Sequence, residues 1–330
     1  MGQGPPSAAP GRLAGAGVKR SERWLLGGLL VLLLLGAGVA WAHDPQLLLK
    51  STLNGLTLAA LYFMVASGFT LVFGLMRNVN LAHGSLFLAG AYLGWLVGEH
   101  SGSWFLAALA GFVSAAVLGV LIQWLVFRRM PGQDLRQTLV TIGLSIVMAD
   151  LMLWLFGGDI YTFDPPAWMY GTSVLPLIGK YPSYRLAVLA VAVLLGLGLW
   201  GLLARTRLGM MIRAGVDDRD MLSASGVHVQ RVFAMTFALG AGLAGLAGVV
   251  GGTALSISPG EDTRYLLASL VVVIVGGMGS VAGAAIGALL IGLAEQLGQA
   301  YAPTYSVVFT FLIMILALAF RPRGVLGRSA

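Results

Sequence analysis

Nine apolar runs, most about as long as a bilayer is thick, decide what this chain can fold into. They fall at 24–42, 52–76, 81–97, 104–127, 138–156, 186–204, 232–255, 266–294 and 306–320. About 20 apolar residues in a helix cross the ~30 Å of hydrocarbon. In lipid each backbone N–H and C=O must be satisfied within the segment, so runs of this length become helices. Composition agrees, with 58% hydrophobic and only 10% charged residues, where a soluble domain carries about 25% charged. The expected fold class is an all-α polytopic membrane protein with about 8–9 transmembrane segments.

The segments divide the chain. Residues 1–23 form a basic leader with Arg12, Lys19, Arg20 and Arg23, expected to be disordered. The run 24–42 ends in Ala40-Trp41-Ala42, so it is read as an extra N-terminal transmembrane helix, with a signal peptide as the alternative. Residues 43–330 make up the main domain. Alternating sides from a cytoplasmic N-terminus places Arg77, then Arg128, Arg129 and Arg136, then Arg205, Arg207, Arg213, Arg219 and Arg231 on the cytoplasmic side. The opposite loops hold Lys50, Lys180, Arg185 and Arg264. This excess of cytoplasmic Lys and Arg is the usual orientation signal.

One segment disturbs the alternation. A single crossing by 266–294 would put Arg321, Arg323 and Arg328 outside, yet the run is interrupted at Gly276-Gly277-Met278-Gly279-Ser280. The flanking arms, measured on the apolar residues, are roughly 15 and 21 Å long as helices, shorter than the hydrocarbon. A broken, re-entrant hairpin near 266–294 returns the C-terminus to the cytoplasm, and such breaks often line transport paths. Two short tilted helices joined by an ordinary turn are the alternative.

Glycine is abundant, 47 residues in all, and recurs at four-residue spacing. Gly90, Gly94 and Gly98, then Ala244, Gly248 and Gly252, then Gly279, Gly283 and Gly287 form ladders that let helices approach closely. Polar residues inside apolar segments are few: Asn54, Asn80, His83, Gln123, Asp150 and Glu295. Ionisable groups at membrane depth are costly and mark functional candidates. Asp150 could take a substrate amine or pair with a neighbouring helix. Asn80 and His83 share a helical face, either as a polar patch in a pathway or as a contact at a helix start. The substrate-pathway candidates are Asn80, His83, Asp150, Gly276, Gly277, Gly279 and Ser280.

An enzyme has little to work with here. Cysteine is absent, so thiolate chemistry is excluded. The chain has no zinc-protease or nucleophile-elbow motif, no spacing suited to a metal and no P-loop. No cofactor is expected, and energy for uphill transport must come from an ion gradient or a separate ATPase. The longest basic loop, 205–231, carries Arg213 and Asp217-Asp218-Arg219-Asp220. A short helix is expected from about Asp218 to Ser225, with acids in its first turn and Gly226 as its stop. It suits a docking element or a solvated connector.

Several motifs together resemble one family. They are Asn54-Gly-Leu-Thr-Leu58, Gly68-Phe-Thr-Leu-Val-Phe-Gly74, Asn80-Leu-Ala-His-Gly84 and Thr141-Ile-Gly-Leu-Ser145, followed by Arg205-Thr-Arg-Leu-Gly209, Gly276-Gly-Met-Gly-Ser280 and Pro322-Arg-Gly-Val-Leu-Gly-Arg328. From about residue 46 to Arg328 the chain resembles permease subunits of branched-chain amino acid ABC importers, the shorter of the two paired permeases. The resemblance implies a transport subunit in the cell (inner) membrane with a cytoplasmic C-terminus. Its partners would be a second related permease, two cytoplasmic ATP-binding subunits and an extracytoplasmic substrate-binding protein. Cargo in such systems includes branched-chain and other amino acids, urea and short amides. The 205–231 loop would couple to the ATPase through Arg213, Asp217, Asp218, Asp220 and Gly226. An ion-gradient-driven secondary transporter using Asp150 is the alternative.

Four departures from the family pattern stand out. Ser85 replaces a frequent Glu, Ala268 replaces a frequent Lys, and Asp220-Met221-Leu222 stands at the Glu-Ala-Ala-type position. The run 24–42 has no counterpart in the shorter family members.

Overall fold

A computed structural model describes residues 44–76, 79–321 and 324–327. The leader 1–23, the run 24–42, Arg77, Pro322, Arg323 and Arg328 lie outside the described residues. The helices are α1 (Pro45–Met76), α2 (His83–Ser101), α3 (Trp104–Leu125), α4 (Asp134–Phe156), α5 (Ser183–Arg205), α6 (Arg207–Asp217), α7 (Arg219–Ala224), α8 (Val229–Leu255), α9 (Glu261–Gly276), α10 (Val281–Tyr301) and α11 (Ser306–Phe320). Among the described residues, seven stretches are long and apolar enough to cross a membrane: Pro45–Gly74, Trp104–Arg129, Asp134–Phe156, Ser183–Arg205, Val229–Leu255, Val281–Tyr301 and Pro303–Phe320. The helices α2 and α9 account for the remaining apolar runs after residue 43. The chain is an all-α polytopic membrane protein.

Small residues decide which helices form the centre. A Cβ on Gly90 would fall 2.3 Å from the Gly245 Cα, and one on Gly245 would fall 2.2 Å from the Gly111 carbonyl oxygen. Backbones of α2, α3 and α8 therefore touch, an approach that only glycine allows. The expected ladders act as packing surfaces. Gly94 meets Ala107 and Val249, Gly248 meets the Phe87 carbonyl and Gly287 meets the Val272 carbonyl. Around this centre α1 contributes Leu61, Met64, Val65 and Phe69, all buried. By contrast α4, α5 and α11 turn most of their apolar side chains outward, as with Trp154 and Leu194.

The interruption after Gly276 is where the sequence places it, but the arms are longer than the apolar run. At 16 and 21 residues, α9 and α10 reach about 24 and 31 Å. Each continues through polar residues, Glu261 to Arg264 in α9 and Glu295 to Gln299 in α10, which a hydropathy boundary leaves out. The turn between them also lies at the end of the bundle. A Cβ on Gly74, near the end of α1, would sit 3.2 Å from the Gly279 Cα. The C-terminal segment reaches the same place, with Val325 N–H donating to the Val275 carbonyl and Leu326 N–H to the Gly276 carbonyl, both at 2.9 Å.

At the opposite end lies a small antiparallel hairpin that the sequence reading missed, β1 (Thr172–Leu175) and β2 (Gly179–Pro182), with Leu175 opposite Gly179. Its Tyr181 hydroxyl donates to Asn54 Oδ1 at 3.1 Å, and Arg185 Nη1 donates to the same oxygen at 2.7 Å. Asn54 thus ties the hairpin and the start of α5 to α1.

Candidate translocation path and coupling loop

The 205–231 segment is more ordered than a loop. Thr206 caps α6 by accepting from Gly209 N–H at 3.1 Å. The sequence reading missed α6, although Leu208, Met211 and Ile212 recur at helical spacing and Ile212 is buried. The short helix after it is α7. Asp218 Oδ1 accepts from Asp220 N–H at 2.9 Å and from Met221 N–H at 3.0 Å, the N-cap arrangement that satisfies orphan donors. Gly226, with φ +82°, follows the helix where only glycine turns cheaply. Leu222 is the buried anchor of α7, and the Arg219 guanidinium lies 5.0 Å from the Phe233 ring centre. Asp218, Asp220, Met221 and Gly226 remain exposed, so α7 offers a polar outward face. Asp217 closes α6, and Arg213 lines a cleft of about 390 Å³ with Phe63, Trp200 and Val281.

Clefts fix which ends belong together. One of about 780 Å³ is lined by Trp124 at the end of α3, by Arg128 just after it, and by Ser223, His228 and Arg231 from the 205–231 segment. The Arg213 cleft joins that segment to the start of α10. Arg128, Arg213 and Arg231, assigned to one side by charge alone, therefore share one end of the bundle with the Gly277–Ser280 turn.

The proposed path residues separate into three places. Asn80 is buried; its Oδ1 accepts from Ala82 N–H at 3.1 Å and its Nδ2 has no partner among the described residues. His83, also buried, donates from Nε2 to the Val65 carbonyl at 3.0 Å and meets Phe69 edge-on at 5.4 Å. These two form a contact at a helix start. Asp150 lies on the exposed outer face of α4. Gly276, Gly277, Gly279 and Ser280 form the turn: Ser280 caps α10 by accepting from Gly283 N–H at 3.0 Å. A Cβ on Gly277, at φ +113°, would meet Gly327 at 2.4 Å.

Two departures in sequence have structural neighbours of the missing chemistry. Ser85 brings no carboxylate, but its hydroxyl bonds Ser145 at 2.8 Å and donates to the buried Asp262 at 3.5 Å. Ala268 brings no cation, but Arg264 stands four residues earlier on the same face of α9. Glu295, which the sequence reading noted without assigning, accepts from the Tyr62 hydroxyl at 2.7 Å and faces Arg264 at 3.6 Å.

Comparison with known proteins now decides the family. Residues 51–318 match the model described as the permease component of branched-chain amino acid transport systems. The chain belongs to this permease family. BraD of Pseudomonas aeruginosa, a high-affinity branched-chain amino acid transport system permease protein, is 30% identical over 85% of this chain and 96% of its own length. LivH of Escherichia coli, a protein of the same description, is 31% identical over the same shares. LivM of Escherichia coli, another permease protein of that system, is 26% identical over 90% of this chain but only 74% of its own. The chain thus covers nearly the whole length of the shorter permease type. Members of the family are transport components, not enzymes, and this chain is a multi-span membrane permease.

Proposed function

We propose that this chain is the permease subunit of an ATP-driven importer for branched-chain or related amino acids. It forms the translocation path with a second related permease in the cell (inner) membrane. Two cytoplasmic ATP-binding subunits drive it and an extracytoplasmic binding protein delivers cargo. The observation that carries the reading is the capped α7 helix, exposed between the α5 and α8 spans at the arginine-rich end of a permease-family bundle. Asp218, Asp220 and Gly226 are its contact face toward an ATPase, with Arg213 on α6 behind it and Asp217 as a further coupling residue. The C-terminus, packed on the turn at this same end, is cytoplasmic. Asp150, on the outer face of α4, meets the second permease, where a charge is cheaper than in lipid. Asn80 and His83, at the start of α2, border the path at one level, and the Gly276–Ser280 turn borders it at its cytoplasmic end.

The test is purification of the tagged chain from its native membrane in mild detergent, with partners identified by mass spectrometry. An ATP-binding subunit and a second permease in near-equal amounts are expected. A chain that comes out alone, or only with copies of itself, overturns the importer reading.

A further inference from the structure

Tyr62, Arg264 and Glu295 bring α1, α9 and α10 together at one level of the bundle. The Tyr62 hydroxyl donates to Glu295 Oε2 at 2.7 Å. Arg264 Nη2 lies 3.6 Å from Glu295 Oε1, and its Nη1 lies 3.6 Å from Glu261 Oε2. Arg264 is twelve residues from Gly276 and Glu295 fourteen from Val281, which puts both roughly 18–21 Å from the turn. In a hydrocarbon layer of ~30 Å that is inside the membrane, where ionised groups are costly and mark pathways.

Holding α9 to α10 does not require these charges. The backbones of Gly276 and Gly283 already touch, with a Cβ on either glycine falling within 2.3 Å of the other's carbonyl oxygen, and apolar residues often replace buried ion pairs without loss. Nor is the cluster sealed. The side chain of Arg264 is 46% exposed, that of Glu261 24% and that of Glu295 16%. Beside Arg264 on the open face of α9 stands Leu267, 51% exposed. A guanidinium, two carboxylates and an aliphatic wall thus face outward together.

We infer that Arg264 and Glu295 form a transit site for the zwitterionic end of an α-amino acid. The guanidinium takes the carboxylate and Glu295, with Glu261 beside it, takes the ammonium. The ion pair at 3.6 Å is longer than a charge-assisted hydrogen bond of 2.7–2.9 Å, so an entering zwitterion exchanges partners with it and leaves neither charge bare. Tyr62 stays on the far oxygen of Glu295 and keeps that carboxylate aimed. A neutral amide such as urea has no charge to offer either group. The inference rests on the importer reading above and names its cargo class as zwitterionic.

The experiment uses the complete transporter in proteoliposomes, with internal ATP and external binding protein loaded with radiolabelled leucine. Arg264→Gln and Glu295→Gln are each expected to lower leucine accumulated per ATP hydrolysed at least tenfold, while complex yield and stimulated ATPase activity stay within twofold. The reversal R264E/E295R restores an ion pair but not its polarity against Tyr62, so the complex still assembles and transport does not return. Variants with unchanged leucine per ATP, or a reversal that restores uptake, overturn the transit site alone. Wild-type vesicles that accumulate no leucine on ATP overturn the importer reading together with it.

Discussion

Gly68 on α1 and Gly240 on α8 meet backbone to backbone: a Cβ on Gly68 would lie 2.2 Å from the Gly240 carbonyl oxygen. Neither helix can yield, because α8 is also pressed against α2 and α3 through Gly245 and Gly248. Gly68→Val should therefore destabilise by about 2–3 kcal/mol or more, as overpacking of a tight core does. Gly143 is the control. Nothing lies within 4 Å of a Cβ added there, so Gly143→Ala on α4 should be neutral or slightly stabilising. Thermal unfolding of the detergent-solubilised chain, followed by loss of the monodisperse peak, separates the two. Equal melting of both variants would refute the contact.

Asp218 serves α7 in two ways, as cap and as charge, and two substitutions part them. Asp218→Asn keeps an acceptor for Asp220 N–H and Met221 N–H, whereas Asp218→Ala removes it at a cost of about 1 kcal/mol to the helix. If α7 docks by shape, Asp218→Ala should lower ATP-driven uptake several-fold and Asp218→Asn should leave it near wild type. Asp220 bonds only through its backbone in this cap, so Asp220→Lys should keep α7 folded and weaken retention of the ATPase through charge reversal. Uptake rates and co-purified ATPase, measured side by side, report both. Full uptake in Asp218→Ala would show that α7 is not a docking element.

Hydropathy located the spans because it reports the one property that lipid enforces. The runs 104–127, 232–255 and 306–320 became Trp104–Leu125, Val229–Leu255 and Ser306–Phe320. The cap at Asp218 and the stop at Gly226 were legible because local hydrogen bonds fix them. Other features depend on partners far away in sequence. The polar ends of α9 and α10 carry Arg264 and Glu295, which meet across the two helices at 3.6 Å, and no local pattern announces that pairing. The β1–β2 hairpin depends on Leu177 adopting φ +69°, a conformation leucine rarely signals. Helix α6 was hidden by Gly209 and Gly215, which lower helix propensity, although Gly209 lies so close to the Leu202 and Leu203 backbone that a side chain would not fit.

Asn54 Oδ1 accepts from both Tyr181 and Arg185, and Thr57 Oγ1 lies 3.2 Å from the same Tyr181 hydroxyl. Tyr181→Phe should cost about 1 kcal/mol, the net worth of a hydrogen bond. Asn54→Ala should cost more, about 2 kcal/mol, because it also strips the acceptor from a guanidinium. Since the two share that oxygen, the double variant should cost less than the sum. Limited proteolysis at the β1–β2 turn, expected to quicken in the same order, measures this. Unchanged cleavage in Asn54→Ala would mean that the hairpin is held elsewhere.

The position of the helix break can be tested by a covalent link, because the chain has no cysteine of its own. A Cβ built on Gly74 lies 3.2 Å from the Gly279 Cα, and one built on Gly279 lies 3.4 Å from the Gly74 Cα. The two positions are thus close enough for their side chains to be joined by a disulfide. Cysteine at Gly279 must adopt φ +79°, a strain of about 1–2 kcal/mol that the fold can absorb. With a protease site placed in the exposed segment 157–160, oxidised Gly74→Cys/Gly279→Cys should run as one species after cleavage and as two fragments after reduction. The pair Gly143→Cys/Gly279→Cys, whose first member has nothing within 4 Å, should fall apart under both conditions. A break lying part-way along the bundle would leave residue 279 far from the end of α1. In that case the first pair would separate as well, and the turn would have to be returned to the interior of the membrane.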